Sequence, residues 1–247
     1  MLKYAFLGII QGLTEFLPVS SSAHLVIFQK ILGLSGEELL ITVVMHMGTV
    51  LSLIIFFFKD ILKAARDIKL LLFVGIVTII TGAVGLAGKD FFESLFSSSK
   101  MVALGLLVTG CVLILTRKFS SEKKHKATNP DAVVLGLAQS VAIIPGISRS
   151  GMTIATLLFR GLDRQASFKL SFLAAIPAIL GAYLLELKDI QQLPSTDIKS
   201  LFCGFLCSLI VGLFSLYLLR LAINKTKLHY FAYYCFCAAL LTIIFIK

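Results

Sequence analysis

The sequence predicts an all-α polytopic membrane protein arranged as an inverted-topology repeat. Three observations lead there: more apolar residues than a soluble fold of this size can hide, six long apolar runs, and two broken apolar regions that share one pattern. Apolar residues make up 58% of the 247 and charged residues 15%, against about 45–50% and about 25% in ordinary soluble domains. A soluble surface of this composition would be one continuous sticky patch. The same composition excludes a disordered chain, a coiled coil, a disulfide-stapled secreted domain and a nucleic-acid-binding domain. The five cysteines lie inside apolar stretches with no Cys-x-x-Cys pair, so they read as small buried apolar residues.

Crossing about 30 Å of hydrocarbon takes around 20 residues of helix. Runs of that kind lie near 40–58, 70–88, 101–116, 167–187, 198–222 and 229–246. Residues 4–34 are apolar but interrupted at Pro18-Val19-Ser20-Ser21-Ser22, and residues 132–160 are interrupted from Pro145 to Gly151. Each half is too short to span, so each pair reads as a re-entrant hairpin. Irregular backbone at membrane depth is tolerated only where protein or a wet cavity satisfies it. Lys3 and the apolar stretch before Ser21-Ser22-Ala23 loosely mimic a secretory signal. Gln11 and Glu15 interrupt that stretch, however, and the pattern recurs mid-chain.

The recurrence organises the chain. Leu7-Gly8-x-x-Gln11 with Ser20-x-Ser22 returns 128 residues later as Leu135-Gly136-x-x-Gln139 with Ser148-x-Ser150, and Phe58-Lys59-Asp60-Ile61 lines up with Leu187-Lys188-Asp189-Ile190. Two units, roughly 1–118 and 131–247, each a hairpin plus three spans, are joined by the basic loop 117–131. An odd number of crossings per unit inverts the second relative to the first, and in such architectures broken helices build the site near the bilayer midplane. The net charge is +10. Fifteen Lys and Arg fall on the side of loops 59–69 and 117–131, together with Arg160, Arg164, Lys169, Arg220, Lys225 and Lys227. Seven fall opposite: Lys3, Lys30, Lys89, Lys100, Lys188, Lys199 and Lys247. The positive-inside bias makes the first side cytoplasmic and puts both termini outside.

Polar groups inside apolar segments are functional hypotheses by default. Gln11 and Glu15 are four residues apart and share a helix face, where two oxygens suit a hard cation such as magnesium or calcium bridging to phosphates. The competing reading pairs Glu15 with Arg149 across the bundle, and the two are compatible. Ser20, Ser21, Ser22 and His24 sit where a half-helix should start, an anion-binding position. Ser21 and His24 are spaced as a nucleophile and its base require, although plain capping explains serines equally well. In the second break Arg149 lies among Ser148, Ser150, Gly151 and Thr153, and its planar fork matches phosphate oxygens. His46 reads as a hydrogen-bonding residue of the bundle, Glu186 as interfacial, and Glu122-Lys123-Lys124-His125-Lys126 as a solvated charge run. A buried carboxylate, arginine, serines, a histidine and half-helix N-termini are phosphate-handling groups, and the hydrocarbon around them implies a substrate with a lipid part.

Gln11-Gly-Leu-Thr-Glu15-Phe-Leu-Pro-Val-Ser-Ser-Ser-Ala-His24 and Pro145-Gly-Ile-Ser148-Arg149-Ser150-Gly-Met-Thr153 resemble the two signature motifs of the integral-membrane undecaprenyl-diphosphate phosphatases, the bacitracin-resistance protein family of bacteria. The likeness extends over His46-Met-Gly48-Thr49 and Phe172-Leu-Ala-Ala-Ile-Pro177-Ala-Ile-Leu-Gly181, essentially the whole chain. It implies hydrolysis of undecaprenyl diphosphate to undecaprenyl phosphate and inorganic phosphate, which recycles the carrier lipid for cell-wall synthesis. By position it makes Gln11 and Glu15 the metal-associated motif, Ser21 the nucleophile and His24 its histidine. Ser148, Arg149 and Thr153 fall on the phosphate-binding motif. It also implies a homodimer in the bacterial plasma membrane, with the site open to the extracytoplasmic side. Gln11 departs from the two-carboxylate version of the motif, and Ala23 replaces a frequent glycine. A transporter or flippase for a phosphorylated lipid is the competing class, since paired broken helices are typical of transporters. The Ser21/His24 pair distinguishes the two, because chemistry needs it and transport does not.

Overall fold

The computed structural model describes residues 1–34, 38–96, 98–118, 126–189 and 197–245. Most of the basic run 122–126 and the side chain of Glu186 therefore lie outside the described residues. Twelve α-helices and no strand occur among the described residues. Five helices are long and apolar enough to cross a bilayer among the described residues: α3 (Glu38–Phe56), α5 (Ile68–Ala87), α7 (Ser99–Leu115, continued by a 3-10 turn to Lys118), α10 (Arg164–Asp189) and α11 (Ile198–Asn224). The sixth expected span is α12 (Tyr230–Phe245), also apolar but only 16 residues long. Large apolar side chains on these helices face outward, among them Ile79, Ile210 and Leu240, where only a hydrocarbon environment removes them from water. The chain is a multi-pass membrane protein.

Four short helices pair around the two breaks. α1 (Leu2–Phe16) and α2 (Ser21–Leu32) have 15 and 12 residues. α8 (Asn129–Val141) and α9 (Arg149–Phe159) have 13 and 11. At about 1.5 Å per residue none reaches the roughly 30 Å of the hydrocarbon core. Local chemistry sets the ends. Leu17 precedes Pro18 and adopts extended backbone, ψ 143°, as a residue before proline must. α8 opens with the capping box of Thr128 and Asp131, and Asp131 also accepts from Arg160 at 2.8 Å, tying the start of α8 to the end of α9. Ser148 caps α9 by accepting from the Gly151 N–H at 3.2 Å. Both breaks are shorter than the sequence suggests: Ser21, Ser22, Arg149, Ser150 and Gly151 occupy first helical turns instead of irregular backbone. At α9 the capping Ser148 satisfies one of the free N–H groups at once, so the helix resumes immediately after it, whereas Ser20 precedes α2 without a side-chain cap bond.

Between the transmembrane helices run α4 (Phe58–Ala64) and the short amphipathic α6 (Lys89–Phe96). α1 packs on α11 and α3, while α8 packs on α5. Small residues bring α1 and α11 into backbone contact, the usual device where lipid offers no hydrophobic drive between helices. A Cβ on Gly8 would lie 2.2 Å from the Gly204 carbonyl oxygen. Across the neighbouring contact Ser52 Oγ donates to the Leu209 carbonyl at 2.7 Å. Beneath the two breaks Phe16, Phe57, Phe168 and Phe172 form an aromatic floor, with the Phe16 and Phe172 rings 5.6 Å apart and edge to face.

Gly8→Val should push α1 off α11 and lower the midpoint of thermal aggregation in detergent, through a steric cost of about 1–3 kcal/mol. Gly75→Ala, where a Cβ would meet nothing within 4 Å, should leave the midpoint unchanged or raise it. A Gly8→Val protein as stable as the parent would show that α1 and α11 do not pack this closely.

Candidate active site

The last turn of α1 carries Glu15, and the Pro18 turn folds the chain back so that the first turn of α2 faces it. The Ser21 hydroxyl donates to Glu15 Oε2 at 2.6 Å. Gln11, one turn earlier, donates Nε2–H to the same oxygen at 3.0 Å and lies 3.5 Å from Thr49 Oγ1 on α3. From α9, Arg149 Nη2 donates to Glu15 Oε1 at 2.5 Å. His46 of α3 brings Nε2 to 3.4 Å from Glu15 Oε2. One carboxylate, with 8% of its side chain exposed, thus gathers groups from α1, α2, α3 and α9. Arg149 faces it directly, and His46 adds a second positive charge when protonated.

The second break is braced from below. Thr109 on α7 donates to the Gly146 carbonyl and accepts from the Ser148 N–H, at 3.0 and 2.9 Å. Gly146 has φ +89°, and a Cβ there would sit 2.1 Å from the Val102 carbonyl oxygen, so only glycine fits. Thr153 accepts from or donates to Ser171 on α10 at 2.5 Å and donates to the Arg149 carbonyl at 2.8 Å. The Arg149 guanidinium lies over the Phe172 ring, 5.9 Å from its centre. The serine pairs at the two breaks match, with Ser20 and Ser22 hydroxyls 3.2 Å apart and Ser148 and Ser150 hydroxyls 3.2 Å apart. Ser20 itself has φ +68°, a conformation a serine holds only when its surroundings impose it.

The residues expected from sequence therefore converge, with one rearrangement. His24 does not reach Ser21 through any described hydrogen bond. Its Nδ1 is 2.7 Å from the Ser20 carbonyl and its Nε2 2.6 Å from the Tyr234 hydroxyl, while Ser21 is held by Glu15. Spacing correctly places Ser21 and His24 in one turn, but one of the ring's two partners is local and the other comes from a chain segment 210 residues away. The sequence reading also underrates His46, whose contact with Glu15 depends on how α3 packs against α1.

Two buried polar atoms here have no hydrogen-bond partner among the described residues: Arg149 Nη1 and Gln11 Oε1. An arginine with one arm on Glu15 and the other free can take an anion oxygen. Gln11 Oε1 and the Glu15 carboxylate are hard oxygen donors, but Gln11 turns Nε2 toward Glu15, so a magnesium or calcium ion between them would need the amide rotated to present Oε1, with phosphate oxygens as the remaining ligands. Among the described residues no group of three or more His, Cys, Asp or Glu is placed to bind a metal without such help.

Comparison with known proteins agrees with the motifs. A family model described as "Bacitracin resistance protein BacA" matches residues 4–241. An undecaprenyl-diphosphatase of Halothermothrix orenii is 43% identical, over 98% of this chain and 96% of the relative. Those of Carboxydothermus hydrogenoformans and Alkaliphilus metalliredigens are 42% and 40% identical, covering 92% and 98% of this chain and 90% and 98% of theirs.

The Glu15–Arg149 pair makes a stability prediction. Glu15→Ala strands a buried guanidinium, and unfolding should become easier by about 3–5 kcal/mol. Removing the second charge too, in Glu15→Ala/Arg149→Met, should recover much of that loss in a detergent thermal melt. Additive losses in the double variant would mean that the two side chains are not coupled.

Proposed function

The chain belongs to the bacitracin resistance protein BacA family, and from that premise we propose that it hydrolyses undecaprenyl diphosphate to undecaprenyl phosphate and inorganic phosphate. The observation that carries this reading is the Ser21 hydroxyl bonded at 2.6 Å to a buried carboxylate that Arg149 also holds. A hydroxyl, a proton acceptor and a half-free guanidinium at one point are what phosphoryl transfer needs from a protein, since positioning and charge stabilisation carry most of its catalysis. A flippase would have no use for the serine–carboxylate bond.

The diphosphate enters with its terminal phosphoryl group between the first turns of α2 and α9. Their N–H groups and the hydroxyls of Ser20, Ser22, Ser148 and Ser150 favour an anion there. Thr153, bonded to Ser171 and to the Arg149 carbonyl, stiffens that turn. Arg149 Nη1 takes a phosphate oxygen. Ser21 Oγ attacks the terminal phosphorus, its proton passes to Glu15 Oε2, and undecaprenyl phosphate leaves. His24, with Nδ1–H held by the Ser20 carbonyl, presents Nε2 as the basic nitrogen. It is the final acceptor of the proton lost by the water that cleaves phosphoserine, and Glu15 returns its proton to Ser21 Oγ, so that serine and free phosphate are restored. A magnesium or calcium ion held by Glu15 and the Gln11 amide oxygen would offset the diphosphate charge.

In the plasma membrane, the reading places the two hairpins as re-entrant units of an inverted repeat, 1–118 and 131–247, joined by the 117–131 loop on the cytoplasmic side. Exchanged packing supports it: α1 of the first half lies on α11 of the second, and α8 of the second on α5 of the first. So do the matched serine pairs. The Lys/Arg asymmetry favours extracytoplasmic termini, and the resemblance to the phosphatase family adds a site open to that side. Homodimerisation is part of the same proposal.

The direct test is phosphate release from a C15 or C55 diphosphate by detergent-purified protein, with and without a chelator. Release that the chelator suppresses is expected, and no release from either substrate overturns the function. Glu15→Gln should abolish turnover more severely than Gln11→Ala, since losing a buried negative charge costs far more than losing a neutral amide. Equal losses in kcat/KM would show the main ligand to be misassigned. Arg149→Lys keeps the charge but loses the fork, and it should leave a folded protein with turnover reduced about a hundredfold or more. A near-native rate would make Arg149 only the counter-charge of Glu15.

A further inference from the structure

His24 is fixed through both ring nitrogens, and one of the two partners lies outside every motif of the sequence. Because the Ser20 carbonyl accepts, Nδ1 carries the hydrogen, and in the neutral ring Nε2 is left with the lone pair. The Tyr234 hydroxyl, 2.6 Å away, donates to it. The two rings lie nearly parallel, at 16° with centroids 5.6 Å apart. His24 is 5% exposed and Tyr234 48%, so the phenol covers the imidazole on the outward side of the bundle. Tyr234 sits near the start of α12, which packs on α7. The next residue, Cys235, reaches the Pro18 carbonyl with its thiol at 3.5 Å. Two consecutive positions of α12 therefore brace the turn that carries Ser20 and Ser21.

We propose that Tyr234 relays a proton in the lipid-diphosphatase reaction: its hydroxyl fixes the tautomer and ring plane of His24 and, taking a proton from water on its oxygen, hands its own to Nε2. The proposal rests on the functional reading above, in which His24 activates water. Without the phenol, a lone pair faces low-dielectric surroundings unpaired. The ring can then rotate or exchange tautomers to find another partner, and either change breaks the path from water through the phenol to the imidazole. A tyrosine that merely fills space would be replaceable by phenylalanine.

The experiment compares Tyr234→Phe, His24→Ala and the double variant, each checked for monodispersity in detergent, with a C15 diphosphate as substrate. Tyr234→Phe keeps the ring and loses the hydroxyl. Its kcat should fall about tenfold, the worth of one neutral hydrogen bond, with KM within about twofold. In the His24→Ala background the same change should cost nothing further, because Tyr234 acts through His24. The chain has four histidines, so in protein labelled with 15N-histidine the His24 signals are identified by their loss in His24→Ala. They should report a single Nδ1–H tautomer in the parent and a mixture in Tyr234→Phe. Native kcat in Tyr234→Phe, a second full loss in the double variant, or an unchanged tautomer signature overturns the proposal. If the parent protein releases no phosphate, the functional reading fails separately, and the tautomer measurement alone decides the Tyr234–His24 assignment.

Discussion

Everything at the site hangs on the Glu15 carboxylate. A carboxylate inside a membrane bundle is costly unless it is paired and hydrogen-bonded, and here its partners come from four helices: Gln11, Ser21, His46 and Arg149. The requirement works in both directions. Glu15 is tolerable because the two hairpins bring serine and arginine to it, and the hairpins stay together because removing any of those donors leaves a buried charge exposed to low dielectric. Such a pair contributes little net stability compared with apolar residues of the same shape. What it secures is position, and position is what phosphoryl transfer demands.

The scaffold around that centre reads as a set of devices for bringing backbones close and holding irregular turns still. Gly8 and Gly204 let α1 lie against α11. Thr109 satisfies both a carbonyl and an N–H of the second break, groups that would otherwise be unpaired at membrane depth. The aromatic floor of Phe16 and Phe172 links the residue after Glu15 to the ring beneath Arg149. The geometry of the charged pair thus rests on packed rings that have few alternative arrangements.

Much of this was legible in the sequence, because apolar run length and isolated polar residues are local, linear signals. Composition gave the membrane setting, and the positions of the long helices follow the predicted runs closely. Gln11, Glu15, Ser21 and Arg149 stood out because strong polar groups are rare in apolar segments. Two things were illegible for one reason. Tyr234 is an ordinary membrane tyrosine until α12 folds across the first break, 210 residues from His24. His46 gains its role only from the packing of α3 beside α1. The break boundaries were missed by a few residues because capping by Ser148 lets α9 restart at Arg149, a decision made by one hydrogen bond.

The arrangement also bears on how the reaction would end. Among the described residues Arg149 has one amino group on Glu15 and the other unpaired, so it is half committed. A diphosphate competes for it with more negative charge than a single carboxylate, and in low dielectric that difference is amplified. Once the terminal phosphoryl group has gone, the lipid product is a monophosphate with less charge to hold the guanidinium, and Glu15 would reclaim it on giving its proton back to Ser21. In the proposed reaction the group that takes the serine proton would then, when it regains its charge, also displace the remaining phosphate. That double duty accounts for a carboxylate at this position, since a neutral acceptor would orient Ser21 but leave Arg149 bound to whatever phosphate remained.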